Sequence, residues 1–311
     1  MFIFDNKITI EKKGELEQYL RGFEYKTSGL SFSSLYMWRN INEFSWQIIG
    51  DYACIAGISH LELEYGMKEL FLFPPLTKTG AYDPKKLRET IYDVKKIFEQ
   101  NGKEFSIRLL PLHMIDIIKD ACPGEMKYIE DRPNYDYVYK RQDLVDLKGR
   151  EYHSKKNHLN YFNNNYKYEY VKLTSDMSGD AMIFIDEFNK RKEIPEHEMV
   201  LLKMEEEAML DAFNNIERVG YLAGAIIINN KIEAISIGGY LNKNTVTVHV
   251  EKANINYRGL YQAINNEFCK HKAPNVKFIN REEDMGIPNL RKAKLSYKPV
   301  KLLEKHIAVF K

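Results

Sequence analysis

Short runs of alternating apolar and polar residues recur along the chain between longer stretches with helical spacing. A period of two predicts strands, and apolar residues three or four positions apart predict amphipathic helices. The stretch from Asp83 to Gly102 has the helical spacing, with a proline at its start and a glycine at its end. Its apolar face consists of Leu87, Ile91, Val94 and Phe98. The chain is therefore predicted to mix helices and strands.

The two halves of the chain share one order of predicted elements. The first half gives helices at Glu11–Leu20 and Ser31–Asn40, strands at Ser45–Ile49, Tyr52–Ala56 and Leu70–Phe73, the helix at 83–102, a strand at Phe105–Leu109 and a helix at Pro111–Asp120. The second gives a strand at Tyr135–Tyr139, a helix bearing Tyr152, Leu159, Phe162 and Tyr166, a strand at Lys167–Lys172, helices at Ser178–Lys192 and Pro195–Phe213, strands at Val219–Ile228, Ile232–Leu241 and Thr245–Lys252, a helix at 258–272, a strand at Val276–Asn280, a helix at 288–296 and a last strand at His306–Phe310.

This repeated order predicts an α+β protein of two lobes, each a mostly antiparallel sheet flanked by helices. At 311 residues the chain exceeds the usual size of a single domain. The polar, proline-broken segment at 131–134 suits a joint, so we expect lobes at 1–132 and 133–311. The duplication is inferred from element order alone, since no repeat is visible residue by residue.

The strand at Val246–Lys252 is the main candidate for function. Strict alternation would place Val246, Val248 and Val250 on one face, and Thr247, His249 and Glu251 on the other. The polar face is either a solvated side of an antiparallel strand or part of a site. In the preceding strand, Gly238-Gly239 indicates a bulge or a close approach of backbone.

Two loops follow strand ends, where ligands commonly bind in layered α/β sheets. Arg258-Gly259 begins a helix, whose N-terminus favours an anion such as phosphate, although any helix needs an entry turn. The segment 280–288 places Arg281 beside acids that include Asp284. These acids are either general acid or base groups or a solvated turn.

Composition narrows the function classes. Forty-six Lys and Arg residues nearly balance 44 Asp and Glu residues, which argues against a general nucleic-acid coat but allows local basic patches. The three cysteines are far apart and lack a CxxC motif, so we expect no disulfide framework, no metal site and a reducing cytoplasm. No apolar run is long enough to span a membrane, and the N-terminus does not read as a secretory signal. Peripheral membrane contact stays open.

The element order resembles that of the Gcn5-related N-acetyltransferases, and a tandem pair looks like the Fem aminoacyltransferases. Several segments resemble, more specifically, the family named for the C-terminal domain of phosphatidylglycerol lysyltransferase. These segments are 135–139, 143–144, 147–149, 155–158 together with Phe162, 248–253, 257–265, 280–286 and 290–294. They extend over most of residues 130–298. The family's lipid-modifying members also carry a large membrane portion, which this chain lacks, and Leu260-Tyr261 after Gly259 departs from the usual acetyltransferase phosphate loop.

The resemblance implies an acyltransferase that takes an aminoacyl group from aminoacyl-tRNA, or an acyl group from acyl-coenzyme A, as a co-substrate. The acceptor would be an amine or hydroxyl on a small molecule or peptide, and no tightly bound cofactor is expected. Glu251 is predicted as the base, directly or through water, with His249 beside it and Asp284 as the alternative base. Donor phosphates or a tRNA end would contact Arg258, Gly259, Arg281, Lys155, Lys156, Arg291 and Lys294, although surface lysines are commonly just solvated. The alternative is a non-catalytic protein that binds a ligand or peptide in an acetyltransferase-like cleft.

Overall fold

The structure, a computed structural model, describes residues 3–22, 26–59, 69–191 and 199–311. The chain forms two compact units. Unit 1 contains Met1–Asp136, Glu283–Pro288 and Leu302–Lys311, and unit 2 contains Tyr137–Glu282 and Asn289–Lys301. The predicted start of a helix at Pro195 lies outside the described residues.

The elements of the first half are β1 (Asn6–Lys7), α1 (Lys13–Leu20), α2 (Phe32–Trp38), β2 (Ser45–Ile49), β3 (Tyr52–Ser59), β4 (Glu69–Leu72), β5 (Leu76–Thr77), α3 (Pro84–Gln100), β6 (Ser106–Pro111), α4 (Leu112–Ala121) and β7 (Met126–Glu130). The elements that follow are β8 (Asp136–Lys140), α5 (Arg141–Asp146), α6 (His153–Asn165), β9 (Glu169–Lys172), α7 (Ser178–Asn189), α8 (Met199–Asn214), α9 (Ile216–Val219), β10 (Leu222–Ile228), β11 (Lys231–Asn242), β12 (Thr245–Ala253), α10 (Leu260–His271), β13 (Phe278–Asn280), α11 (Pro288–Leu295), β14 (Lys301–Leu303) and β15 (Lys305–Phe310).

These elements form two mixed sheets flanked by helices, which confirms the predicted fold class. Over the described residues, the first sheet runs β1-β2-β3-β4-β6-β15-β7, with β5 paired to β3. The second runs β8-β13-β12-β11-β10-β9, with β14 at the β8 edge. Each sheet has one parallel pair whose strands are joined through a helix: β4 and β6 through α3, and β12 and β13 through α10. Parallel neighbours need such a crossover, and helices are its usual form.

Local signals place the helices of unit 1. Asp83 caps α3 by accepting a hydrogen bond from the Lys86 backbone N–H at 2.9 Å. Ser31 caps α2 in the same way through the Ser34 N–H at 3.2 Å. The predicted apolar face of α3 is buried in the core. Both helices were predicted to begin at these residues, because start signals and periodicity are local properties of the sequence.

The last strand of the chain belongs to the first sheet and not to the second lobe. β15 lies between β6 and β7 and pairs antiparallel with both, for example His306 with Glu130. The predicted division at 132/133 assigned this strand to the C-terminal lobe, and β7 was not predicted. Long-range pairing decides which sheet a strand joins, and local alternation carries no information about it.

A second correction concerns the faces of β12. Its register with β11 passes from Ile237 opposite Val250 to Gly238 opposite Val248, so His249 is an extra residue in β12. Such a bulge reverses the alternation beyond it. Val248 therefore shares a face with Glu251, and the predicted grouping of Thr247, His249 and Glu251 on one face is wrong.

Gly238 lies at the bulge, and the prediction of a close backbone approach there is confirmed. A Cβ at this position would lie 2.2 Å from the carbonyl oxygen of Thr247 on the neighbouring strand. Only glycine fits without moving the strands apart. The bulge thus depends on the glycine at 238 in β11 as well as on the extra residue in β12.

Candidate active site

Glu251 and Arg281 form an ion pair where β12 and β13 separate. The pairs between these parallel strands end at Thr247 and Asn280, although β12 continues to Ala253. Beyond that point, Nη2 of Arg281 donates to Oε1 of Glu251 at 2.7 Å. The side chains are only 14% and 10% exposed, respectively. The sequence predicted both residues as site candidates, and the structure brings them together.

Helix α10 supplies the second contact to the carboxylate. Asn265 Nδ2 donates to Oε2 of Glu251 at 3.0 Å, so each carboxylate oxygen accepts one hydrogen bond. Carboxylate oxygens carry two lone pairs each, which leaves capacity for another donor. The bulge at His249 makes this contact possible, because it turns Glu251 toward the face that α10 covers.

Two tyrosines and a lysine complete the polar cluster around Arg281. The guanidinium carbon lies 5.0 Å from the ring centre of Tyr297 and 5.8 Å from that of Tyr139. The ammonium of Lys155, on α6, lies 4.5 Å from the same Tyr297 ring. We call Glu251, Arg281, Lys155, Tyr139 and Tyr297 the unit 2 cluster. It holds two cations and one carboxylate.

Burial and charge shift the ionisation of several members of the cluster. Burial lowers the pKa of Lys155, and the nearby positive charge of Arg281 lowers it further. Burial raises the pKa of Tyr297 and of Tyr139, against an opposing effect of Arg281. Both phenols therefore stay protonated at neutral pH. The Tyr139 hydroxyl donates its hydrogen bond to the carbonyl oxygen of Lys294 at 2.8 Å, so Tyr297 is the phenol of the cluster that can serve a ligand. The lowered pKa of Lys155 indicates that an anion beside it would be favourable.

Unsatisfied polar atoms lie in and beside the cluster. Among the described residues, Nη1 of Arg281 is buried with no hydrogen-bond partner. The hydroxyl of Ser236, directly opposite Glu251 in the β11–β12 register, is likewise buried and unpartnered. Buried polar groups are normally paired, so donors without a partner mark places where a ligand can add one.

His249 does not contact Glu251, although the two were predicted to lie side by side. Its Nδ1 lies 2.8 Å from Oε1 of Glu282, and its side chain has no exposed area. Glu282 has a left-handed backbone, with φ of 57°. Its N–H is held by the side chain of Asn280 at 2.8 Å. A carboxylate on one ring nitrogen fixes the tautomer and orientation of a histidine.

Asp284 belongs to unit 1, whereas Glu251 and Arg281 belong to unit 2. Its side chain is fully buried, and Arg132 Nη1 donates to Oδ2 at 3.2 Å. Its other oxygen accepts from the Gly286 N–H at 2.9 Å, which closes a turn. The prediction placed Asp284 on the neighbouring strand end as an alternative base, whereas these contacts give it a structural role in unit 1. Sequence proximity to Arg281 was misleading, because the chain passes from unit 2 to unit 1 between the two residues.

Gly259 is explained by packing between helices. Its φ is 92°, and a Cβ would lie 2.2 Å from the carbonyl oxygen of His158 on α6. Arg258 is exposed, with its guanidinium carbon 4.6 Å from the ring centre of Tyr161. The predicted phosphate contact at these two residues stays a prediction.

The remaining predicted basic residues have different surroundings. Lys156 is exposed on α6, one position after the half-buried Lys155. Arg291 is partly buried on α11. Lys294 is buried, and its ammonium donates to the carbonyl oxygen of Arg281. The proposed surface role of Lys294 does not agree with this position, because the side chain fixes the backbone beside the cluster.

Several site residues were missed in the sequence. Asn265, Tyr139, Tyr297 and Glu282 contact the candidates but were not singled out. Asn265 had a usable signal, since it is an uncharged polar residue that lies between the buried positions Ile264 and Phe268 of α10. The tyrosines had none, because 21 tyrosines are spread along the chain.

The two sheets with their crossover helices define an acetyltransferase-like class of fold. A tandem Gcn5-related N-acetyltransferase from the clavulanic acid biosynthesis pathway is similar over 99% of this chain and 97% of its own, with a TM-score of 0.50 and 6% identity. The model of a family described as phosphatidylglycerol lysyltransferase, C-terminal, matches residues 20–309. The chain belongs to this family.

Two solved structures are similar to this chain over nearly its whole length. A conserved protein of unknown function from Bacteroides thetaiotaomicron VPI-5482 is 31% identical over the full length of both chains, with a TM-score of 0.87. The L-PGS of Bacillus licheniformis matches over 98% of this chain and 92% of its own, with a TM-score of 0.64 and 11% identity. The second likeness shows a shared fold. Within the described ranges, no helix has the length and apolar character required to cross a membrane.

Proposed function

We propose that unit 2 contains an acyl-transfer site, which moves an aminoacyl group from aminoacyl-tRNA or an acyl group from acyl-coenzyme A to an amine or hydroxyl acceptor. The observation that carries the proposal is the half-buried Glu251–Arg281 pair, with an unpartnered guanidinium nitrogen, at the point where β12 and β13 separate. Family membership supports the reaction class.

Four of the five members of the cluster have a role in this reaction. The acceptor oxygen or nitrogen attacks the donor carbonyl, and Glu251 takes the proton that the acceptor loses, directly or through a water. Tyr297 is protonated and donates a hydrogen bond to the oxyanion that forms. The bond from the carbonyl carbon to the leaving oxygen or sulfur then breaks, and the leaving group receives the proton that Glu251 took from the acceptor.

Arg281 and Lys155 hold the anionic part of the donor. They supply two positive charges against the single carboxylate of Glu251, so a phosphate group near Tyr297 would balance the cluster. Arg281 also fixes Glu251, while Asn265 holds the second carboxylate oxygen. This arrangement orients the base before the substrates arrive.

A non-catalytic binding protein is the second candidate. Both oxygens of Glu251 already accept a hydrogen bond, and His249 is fully enclosed, which suits a site that only holds a ligand. The enzyme and the binding protein would both use the unit 2 cluster, but only the enzyme would turn over its donor.

A transfer assay separates the candidates. The purified chain is incubated with aminoacyl-tRNA or acetyl-coenzyme A and with hydroxylamine as a small amine acceptor, and hydroxamate formation is compared with the uncatalysed rate. We expect one donor to react faster with the chain present, Glu251→Gln to remove most of the increase, and Lys155→Met to weaken donor use. Lys156→Met is the matched control, because this neighbour on α6 is exposed. Saturable donor binding with no transfer in any variant would favour the binding protein.

A further inference from the structure

Unit 1 has a cavity of about 750 Å³ that the proposed function does not use. Its wall comes from the loop before α2, the first turns of α4, strand β7 and the region of β14 and β15. This volume lies within the range of small-molecule sites, roughly 300–1,000 Å³. All the lining residues belong to unit 1, so the cavity is a property of that unit.

Three polar atoms from three segments of the wall have no hydrogen-bond partner among the described residues. They are the hydroxyl of Thr27, the hydroxyl of Tyr128 and Nδ1 of His306. Thr27 is 3% exposed, so its hydroxyl has lost nearly all contact with solvent. Each of these groups can donate a hydrogen bond. Their occurrence around one cavity indicates a ligand with accepting oxygens.

The N-terminus of α4 and the ammonium of Lys26 offer positive groups to an anionic ligand. The N-terminus of α4 lies in the wall, with Pro111 as its N-cap residue. The positive end of the helix dipole is therefore at the cavity, where it favours an anion. Burial lowers the pKa of His113 in the first turn, and the positive charge of Lys26 lowers it further. An anion between these two groups would relieve their repulsion.

Three acidic residues line the wall alongside Lys26 and Lys119, and two of the three have partners that limit their opposition to an anion. Asp116 lies 3.6 Å from Lys119, an ion pair on the surface of α4. Glu130 accepts a hydrogen bond from the Tyr135 hydroxyl. Glu304 is exposed at the rim. Apolar side chains, among them Leu112 and Ile115, cover another part of the wall and suit a short hydrocarbon portion.

We propose that this cavity binds a small organic acid, with its carboxylate or phosphate group at the N-terminus of α4 near Thr27 and Tyr128, and its apolar portion against Leu112 and Ile115. This site is separate from the unit 2 cluster. The proposal stands or fails independently of acyl transfer.

Three probes of one chain length test the ligand class. Hexanoate, hexyl phosphate and 1-hexanol are titrated into the full chain by calorimetry, and the His113 imidazole is followed by NMR. We expect at least one of the two anions to bind at least tenfold more tightly than hexanol and to raise the pKa of His113, because an anion stabilises the imidazolium. Equal binding of hexanol and both anions, or no binding of any probe, would overturn the proposal. Hexanoate and hexyl phosphate distinguish a carboxylate site from a phosphate site.

Tyr128→Phe tests the wall directly, with Tyr170→Phe as its matched control. Both hydroxyls are buried without a partner, but Tyr170 is on β9 in unit 2. Since a buried unpartnered hydroxyl is unfavourable, neither change should lower the melting temperature. We expect only Tyr128→Phe to weaken binding of the preferred anion, by about tenfold for one lost hydrogen bond. Thr27→Val is the second variant, with the same expectation. Unchanged affinity in both Tyr128→Phe and Thr27→Val would contradict the assignment.

Discussion

Two charged clusters, one in each unit, are arranged in different ways. In unit 1, the ammonium of Lys305 lies 2.6 Å from Asp136, which also accepts hydrogen bonds from the backbone and hydroxyl of Ser28. Glu283 lies 3.5 Å from the same ammonium. Lys305 and Asp136 are both essentially inaccessible. This network pairs its charges inside the protein.

The unit 2 cluster keeps an excess of positive charge and an unpartnered donor. The ammonium of Lys155 lies 4.5 Å and the guanidinium carbon of Arg281 lies 5.0 Å from the centre of the Tyr297 ring. Glu251, paired with Arg281, is the carboxylate of the cluster. The unit 1 network is closed in the sense that its ammonium contacts two carboxylates and the Ser28 hydroxyl, and we expect it to help hold the fold. A cluster with a buried unpartnered donor is instead suited to a ligand that completes it, which is the role we propose for the unit 2 cluster.

Breaking the closed network should have the largest effect on stability. Lys305→Met leaves the buried carboxylate of Asp136 without its cation, and we expect the free energy of unfolding to fall by about 3–5 kcal/mol. Urea denaturation measures the loss. Lys86→Met is the control, because its ion pair with Asp51 is exposed and should contribute little. A similar loss of unfolding free energy in Lys305→Met and Lys86→Met would contradict the structural role given to the network.

Gly238→Ala should have an intermediate effect and tests how unit 2 builds its site. The added Cβ would lie 2.2 Å from a backbone oxygen, so β11 and β12 must shift at the bulge. We expect a loss of about 1–3 kcal/mol in unfolding free energy, as for other overpacked positions. Gly179→Ala, on α7, has no atom within 4 Å of its Cβ and should be neutral or stabilising. A neutral Gly238→Ala would argue against the tight bulge.

The smallest effect should be the change with pH in the stability of Lys155→Met relative to the wild type. Burial, together with Arg281, places the pKa of folded Lys155 below its ordinary value of 10.5, so the unfolded chain binds this proton more readily. The charged lysine therefore costs stability at neutral pH, and the cost disappears as pH rises toward 10.5. The stability of the methionine variant relative to the wild type should fall over that range. Thermal unfolding at several pH values measures it, and a pH-independent difference would remove the evidence for a strained cation.

The sequence was sufficient for features that local chemistry determines. The helix starts at Ser31 and Asp83 and the apolar face of α3 were all predicted, because each depends on neighbouring residues. The glycine at position 238 also signalled a close approach of backbone, which the structure contains.

Features that depend on residues distant in the sequence could not be predicted from local pattern. The extra residue at His249 is visible only in the register with β11, and it turned Glu251 toward α10. Glu282, which holds His249, was one of three adjacent acids that local pattern could not distinguish. The placement of β15 in the first sheet depends on pairing with β6 and β7. Alternation fixes a strand's faces only while its ladder is regular.

The rate of acyl transfer by the wild type and by Glu251→Gln tests the central claim most directly. The variant keeps the size of the side chain but loses the base, and its single amide oxygen can accept from only one of Arg281 and Asn265, so we predict a fall in kcat/KM of about a hundredfold or more. Lys156→Met, measured in parallel, should retain the wild-type rate. Equal rates for the wild type and a folded Glu251→Gln variant would contradict the assignment of the unit 2 cluster as the site of acyl transfer.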